Sequence, residues 1–184
     1  MKKTFFLSLT LMFVFSGAKV FSQQTPIIQN AAARKTLSLD GLWQIVIDPL
    51  ENGFYSHRYT PKEDGFFINQ KMESPSDLIE YNFDEGPQLY VPGDWNTQND
   101  KLYYYESTIW YKRDFDYKKT AGKKVFVYFG AVNYDAVVYL NGKKVGEHIG
   151  GYTPFNFEIT DLLQEKDNFM VLKVNNTRKR EAVP

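Results

Sequence analysis

The fold class is decided by the stretch Asp135-Ala136-Val137-Val138-Tyr139-Leu140-Asn141-Gly142-Lys143-Lys144-Val145-Gly146-Glu147. Its first half, Asp135 to Leu140, is rich in valine and tyrosine, and Asn141-Gly142 separates it from Lys143 to Glu147. Asn-Gly in this position is a strong signal for a β-hairpin, because a type I′ turn needs a positive φ at both central residues. The stretch therefore predicts two antiparallel strands joined by a tight turn.

Further strand patterns lie on both sides of this hairpin. Residues 37–48 predict a turn that leads into a strand, since apolar side chains alternate from Trp43 to Ile47. Residues 49–86 lack such a pattern and predict a long loop with one short helix near residues 76–80. An ordered pattern returns at Leu89 to Gly93, and the remaining strand candidates are Thr108 to Phe115, Lys124 to Phe129, Phe155 to Ile159 and Asn168 to Asn175.

Many short strands with close turns and no sustained helical period are typical of an all-β domain. We therefore predict an antiparallel jelly-roll β-sandwich, similar to galactose-binding domains, over residues 37–184. Aromatic residues make up 17% of the chain, which favours strands and argues against disorder.

The composition excludes several classes of function. The 184-residue chain has a formal net charge of zero, so it carries no global electrostatic signal for nucleic acid. It contains no cysteine, which excludes disulfides, thiolate catalysis and cysteine-ligated metals. His57 and His148 are its only histidines, too few for a histidine-rich metal site. No metal, cofactor or nucleic acid is predicted.

The N-terminus has the features of an export signal. Lys2 and Lys3 precede an apolar run over residues 4–15, and small residues follow before Gln23. The apolar run is shorter than the roughly 20 residues that a membrane-spanning helix needs. We expect residues 1–22 to be a signal peptide and residues 23–36 a lead-in segment. The mature chain is then periplasmic or secreted, with no membrane segment.

One loop combines carboxylates with aromatic residues and amides. Asp94, Asp100 and Glu106 lie there, close to Trp95 and to Tyr103 to Tyr105. One interpretation is a sugar-facing rim, in which carboxylates and amides bind hydroxyls and aromatic rings stack on the sugar. The other is a solvated loop whose aromatic residues fill the core. Both stay open from the residues alone.

A second predicted loop contains His148. His148 is expected to be a loop residue that forms a hydrogen bond rather than a catalyst. Gly150 and Gly151 after it predict a turn that needs an unusual φ.

Four segments in order carry a family resemblance: Leu39–Trp43, Val91–Asn96, Ile109–Arg113 and Phe129–Phe155. Together they resemble the amino-terminal sugar-binding domain of glycoside hydrolase family 2, which includes β-galactosidases, β-glucuronidases and β-mannosidases. The part from Glu147 to Phe155 is most similar to β-glucuronidases. The resemblance extends from Thr36 to Asn176.

The resemblance implies that this chain is the front part of a longer exported β-glycosidase. In the family an immunoglobulin-like domain and a (β/α)₈ barrel follow, and the barrel holds two catalytic glutamates in a retaining mechanism. The acid/base glutamate typically follows an asparagine, and no Asn is followed by Glu in this chain. The expected partners are therefore a carbohydrate and those downstream domains, with no catalytic residue here. The alternative is a stand-alone carbohydrate-binding or cell-surface module.

The resemblance also indicates rim residues. The family brings side chains toward the sugar from the loop between Pro92 and Trp110. Galactosidases often have a Tyr-Glu-Asn-like stretch there, where this chain has Tyr105-Glu106-Ser107. Glu106 and Ser107 are the first candidates. Asp94 and Asn96 are the second.

Overall fold

Strands dominate the computed structural model, which describes residues 26–51, 83–84 and 86–178. The strands are β1 Gly41–Asp48, β2 Gln88–Val91, β3 Thr108–Phe115, β4 Phe126–Phe129, β5 Asp135–Leu140, β6 Lys143–Ile149, β7 Phe155–Glu158 and β8 Asn168–Asn175. The helical elements are α1, Trp95–Gln98, and two 3₁₀ turns, Ala31–Ala33 and Asp100–Leu102. The predicted all-β class is confirmed. The expected signal peptide and the helix near residues 76–80 lie outside the described residues.

The strands form two antiparallel sheets. The larger has the order β2-β1-β3-β8-β5-β6, and the smaller pairs β4 with β7. The predicted hairpin is confirmed as β5 and β6, with Leu140 opposite Lys143 and φ values of 52° at Asn141 and 79° at Gly142. Strand β6 continues to Ile149, which places His148 in a strand rather than in the expected loop.

The main core lies between the two sheets. Alternate side chains of the central strands point into it, among them Trp43 and Ile45 of β1 and Leu172 of β8. The smaller sheet contributes Val127 and Phe155 to the same cluster. The molecule is therefore a β-sandwich whose layers are closed by aromatic and branched side chains.

A second, smaller cluster lies on the opposite face of the larger sheet. Trp110 of β3 is fully buried there against Phe83, Tyr139 and Val171. Its Nε1 donates a hydrogen bond of 2.8 Å to Oδ2 of the buried Asp48. Burial raises the pKa of Tyr139 to about 12. Both faces of the central strands are thus covered, which explains why β3 is buried from Thr108 to Lys112.

The lead-in segment is fastened to the smaller sheet by one side chain. Asn156 of β7 accepts a hydrogen bond from Ile28 N at 2.8 Å and donates one to Pro26 O at 3.3 Å. The side-chain amide of Asn156 thus forms hydrogen bonds with one backbone N–H and one backbone C=O of the lead-in segment. Within the described ranges, no helix is long and apolar enough to cross a membrane.

Glu51, just after β1, gives the fold a defined dependence on pH. Its carboxylate accepts hydrogen bonds from Thr108 Oγ1 at 2.6 Å and Asn175 Nδ2 at 2.9 Å, and Lys173 Nζ lies 3.2 Å away. These contacts, the Thr108 hydrogen bond first, lower the pKa of Glu51 from 4.5 to about 2. A carboxyl group whose pKa is lowered by folding stabilises the fold above its unfolded pKa and loses that contribution as the pH falls toward the folded pKa.

We therefore expect Glu51→Gln to be less stable than wild type at neutral pH and to lose less stability on acidification. The difference between the two should shrink as the pH falls from about 4.5 to about 2. Urea unfolding across this range measures it, and the exposed Glu165→Gln is the matched control. A constant difference between Glu51→Gln and wild type at all pH values would contradict the assignment.

Candidate functional site

A cavity of about 310 Å³ opens between the two sheets at one end of the sandwich. Its floor is apolar and is formed by inward-facing side chains of the larger sheet, including Trp43, Tyr111 and Leu172. Loops that follow β2, β4, β6 and β8 form its rim. The residues around it are Trp43, Val91, Pro92, Gly93, Asp94, Trp95, Asn96, Tyr111, Phe129, Ala131, Val132, Asn133, Gly151, Leu172, Val174 and Asn176.

The turn between β2 and α1 shapes one side of this rim. The side-chain amide of Gln98 pairs with both backbone groups of Tyr90, accepting from its N–H at 2.7 Å and donating to its C=O at 3.0 Å. A Cβ on Gly93 would lie 2.5 Å from that amide nitrogen and 2.9 Å from Tyr90 O. A side chain at position 93 would therefore clash with Gln98 and with the backbone of Tyr90, which explains the glycine. The turn places Asp94 to Asn96 beside the cavity.

Asp94, a predicted site residue, also serves as the N-cap of α1. Its carboxylate accepts from Thr97 N at 2.9 Å and from Thr97 Oγ1 at 2.8 Å. These hydrogen bonds, that of the Thr97 side chain first, lower the pKa of Asp94, so the group is ionised at neutral pH. A carboxylate has about four lone-pair sites, so an ionised Asp94 can still accept hydroxyl donors from the cavity.

Asn96, the next predicted residue, holds the following loop in place. Its Nδ2 donates to the carbonyl oxygens of Leu102 at 2.6 Å, Tyr103 at 3.1 Å and Tyr105 at 3.3 Å. The side chain joins the cavity rim to the loop that carries the aromatic residues. Asn96 thus lines the cavity and also holds the loop of Leu102 to Tyr105 in position.

Glu106 and Ser107 are not among the residues that line the cavity. Glu106 Oε1 forms an exposed ion pair with Arg178 Nε at 3.0 Å. Ser107 N donates to Asn176 Oδ1 at 3.0 Å, and Asn176 itself lines the cavity. Ser107 is therefore one side chain away from the site, and its role at the rim, like that of Glu106, stays a prediction.

The interpretation that the aromatic residues of this loop fill the core holds for some of them only, and the sugar-facing interpretation stays a prediction. Trp95 and Leu102 are buried in the core, and Tyr105 is half-buried with its hydroxyl donating to Thr108 O at 2.8 Å. Tyr103 and Tyr104 are exposed, so the expectation that they fill the core is wrong for these two. They lie on a polar turn, where no periodic pattern indicates which way a ring points.

Among the rim residues that the sequence did not single out as site residues are Asn133, Asn176 and Ala131. Asn133 and Ala131 lie within the segment Phe129–Phe155 that carries the family resemblance, which is the one signal that could have found them. Asn176 follows directly after β8, at the end of a strand. Their convergence is a result of tertiary structure.

The second loop behaves partly as expected. Gly150 has φ of 137°, as predicted, whereas Gly151 is not in a positive-φ conformation and instead approaches Asn133 closely. His148 forms the predicted hydrogen bond, with Nε2 3.1 Å from Thr153 Oγ1, and its ring stacks on Phe155 at 4.2 Å. Among the described residues, no group of three or more histidine, aspartate or glutamate side chains is arranged to hold a metal ion.

Comparison with known proteins agrees with this architecture. A family model described as glycosyl hydrolases family 2, sugar binding domain, matches residues 36–181. A putative β-glucuronidase of Formosa agariphila is 37% identical over 82 residues, 44% of this chain and 10% of that protein. A β-galactosidase of Thermoanaerobacter pseudethanolicus is 37% identical over 83 residues, 44% of this chain and 11% of that protein.

Solved structures of β-glucuronidases are also similar to this chain. The solved structure of a Lactobacillus rhamnosus β-glucuronidase is similar with a TM-score of 0.62 and 29% identity, covering 79% of this chain and 22% of that one. The matched part of this chain spans only about a tenth of the length of the two relatives named above. Because the family model covers all eight described strands and the fold agrees, the chain belongs to the sugar-binding domain family of the family 2 glycosyl hydrolases.

Proposed function

We propose that this chain is the non-catalytic, sugar-binding amino-terminal domain of an exported β-glycosidase of the β-glucuronidase or β-galactosidase type. Its strands take the jelly-roll arrangement, and residues 1–22 are a signal peptide for export to the periplasm or the medium. The observation that carries the proposal is the cavity between the sheets. Its apolar floor and polar rim occur in a chain that matches the family's sugar-binding domain.

The cavity has the chemistry that a sugar residue requires. A pocket that binds small molecules combines a mostly apolar lining with a few well-placed polar groups. Phe129 and Trp43 supply apolar surface for the C–H groups of a pyranose ring. Ionised Asp94 can accept hydrogen bonds from sugar hydroxyls, and the amides of Asn133 and Asn176 can donate to or accept from other hydroxyls.

Bond cleavage is assigned to a downstream (β/α)₈ barrel of the same enzyme, with an immunoglobulin-like domain between. Retaining hydrolysis needs two carboxyl groups about 5–5.5 Å apart, one acting as acid/base and one as nucleophile. The coding sequence after codon 184 tests this part. A barrel with an Asn-Glu step supports it, and a stop codon immediately after codon 184 contradicts it.

Binding by this chain is tested by closing the mouth of the cavity. Ala131 lines the cavity and is exposed, so Ala131→Phe should obstruct the entrance without disturbing the core. We expect affinity for methyl β-galactoside or methyl β-glucuronide to fall by about tenfold or more, a loss of about 1.4 kcal/mol or more in binding free energy. Tryptophan fluorescence can report binding, since Trp43 and Trp95 line the cavity.

The matched control is Ala33→Phe, which adds the same side chain at an exposed alanine away from the cavity. It should bind as wild type does. Equal affinity of Ala131→Phe and wild type for the sugar would show that the cavity is not the binding site. Absence of binding by the wild-type chain to either glycoside would contradict the sugar-binding role itself.

A further inference from the structure

Two adjacent aromatic side chains are left in solvent beside the cavity. Tyr104 is 90% exposed and Tyr103 is 58% exposed. Their ring centroids lie 4.6 Å apart with an angle of 87° between the ring planes. Despite this contact, almost the whole surface of the Tyr104 side chain is accessible to solvent. The Tyr103 ring stands perpendicular to it.

The loop that carries these rings is held by hydrogen bonds from several directions. Asn96 Nδ2 donates to the carbonyl oxygen of Tyr103 itself and to those of its neighbours. Asn99 Oδ1 accepts from Lys101 N at 3.0 Å, and Trp95 Nε1 donates to Tyr105 O at 3.2 Å. A loop ordered before binding loses little conformational entropy when a ligand arrives. The exposed rings are therefore displayed on a rigid support.

Exposed tyrosine rings on a rigid support suit a particular kind of ligand. The face of an aromatic ring is negative and its edge positive, so the face attracts C–H groups that carry partial positive charge. A pyranose ring presents a flat set of such C–H groups on one side and hydroxyls around its edge. Tyrosine also has only two side-chain torsions to fix, which keeps the entropic cost low.

We propose that Tyr103 and Tyr104 form an aromatic platform on which a second sugar residue of an oligosaccharide stacks, next to the cavity that receives the first. The two sites lie close together, because Asn96 lines the cavity and its Nδ2 donates a hydrogen bond to the backbone carbonyl of Tyr103. This proposal rests on the proposed function, and it adds a site that selects longer carbohydrates over single residues.

The test compares short oligosaccharides that end in β-galactose or β-glucuronate with the matching methyl β-glycosides. Titration calorimetry on the full 184-residue chain measures both affinities. We expect Tyr104→Ala to lower oligosaccharide affinity by about three- to tenfold and to leave methyl glycoside affinity unchanged. Tyr104→Phe keeps the ring face and should bind oligosaccharides nearly as well as wild type.

Tyr128→Ala is the matched control, since Tyr128 is an exposed tyrosine that does not line the cavity. It should leave both affinities unchanged. If Tyr104→Ala binds oligosaccharides as tightly as wild type, the platform proposal is wrong. The proposed function still stands in that case if the chain binds the methyl glycosides. A variant that alters the oligomeric state in sedimentation but not the affinity also overturns it, because the rings then contact polypeptide. If wild type binds neither ligand, both proposals fail.

Discussion

Replacement of Trp110 by alanine is expected to lower the free energy of unfolding by about 3–5 kcal/mol. Trp110 is fully buried in the outer cluster, and its ring centroid lies 6.0 Å from that of Tyr139. The variant leaves a large cavity against Phe83 and Val171 and removes the indole donor from the buried carboxylate of Asp48. Equilibrium unfolding in urea measures the loss.

Trp110→Phe separates packing from hydrogen bonding. Phenylalanine fills most of the space but cannot donate to Asp48, so we expect a loss of about 1–3 kcal/mol from the missing hydrogen bond to this buried carboxylate. If Trp110→Ala and Trp110→Phe cost the same, the hydrogen bond to Asp48 carries the effect and the packing argument is wrong. A cost below about 1 kcal/mol for Trp110→Ala would contradict its role in the outer cluster altogether.

Substitution of Gly146 by alanine is expected to destabilise the fold by about 1–3 kcal/mol, although alanine differs from glycine by one methyl group. A Cβ at this position would lie 2.6 and 2.7 Å from Cδ1 and Cζ of the Phe157 ring. Phe157 is packed against the main core and contacts Phe155 edge to face at 5.7 Å. It can therefore move aside only by disturbing the interface between the sheets.

Gly130→Ala provides the comparison. A Cβ on Gly130 meets nothing within 4 Å, so this change should be nearly neutral. The double variant Gly146→Ala/Phe157→Leu should recover part of the stability lost by Gly146→Ala, because the smaller side chain makes room for the methyl group. Thermal melting of wild type, Gly130→Ala, Gly146→Ala, Phe157→Leu and the double variant checks both expectations. Additive effects in the double variant would show that the two residues do not clash.

The site divides into parts that sequence could and could not predict. The segment Val91–Asn96 carries part of the family resemblance, and all six of its residues line the cavity, including the predicted site residues Asp94 and Asn96. Their hydrogen bonds to Thr97 and to three carbonyl groups were not expected, because a capping or loop-holding role depends on which backbone groups lie nearby. Asn133 and Asn176 were missed as rim residues, since they come from strands and loops far apart in the chain.

What the sequence determined by itself is local. Alternation and the Asn141-Gly142 turn predicted strands at nearly their observed places, because side-chain period and φ preference depend only on neighbouring residues. Tertiary structure alone decided that β8 lies between β3 and β5, and that Asn141 also donates to Leu162 O at 2.8 Å. It also decided that Tyr105 turns inward while Tyr103 and Tyr104 face solvent. The order of the strands, the composition of the cavity rim and the exposure of Tyr103 and Tyr104 depend on which segments, distant in the chain, pack against each other. No local sequence pattern contains that information.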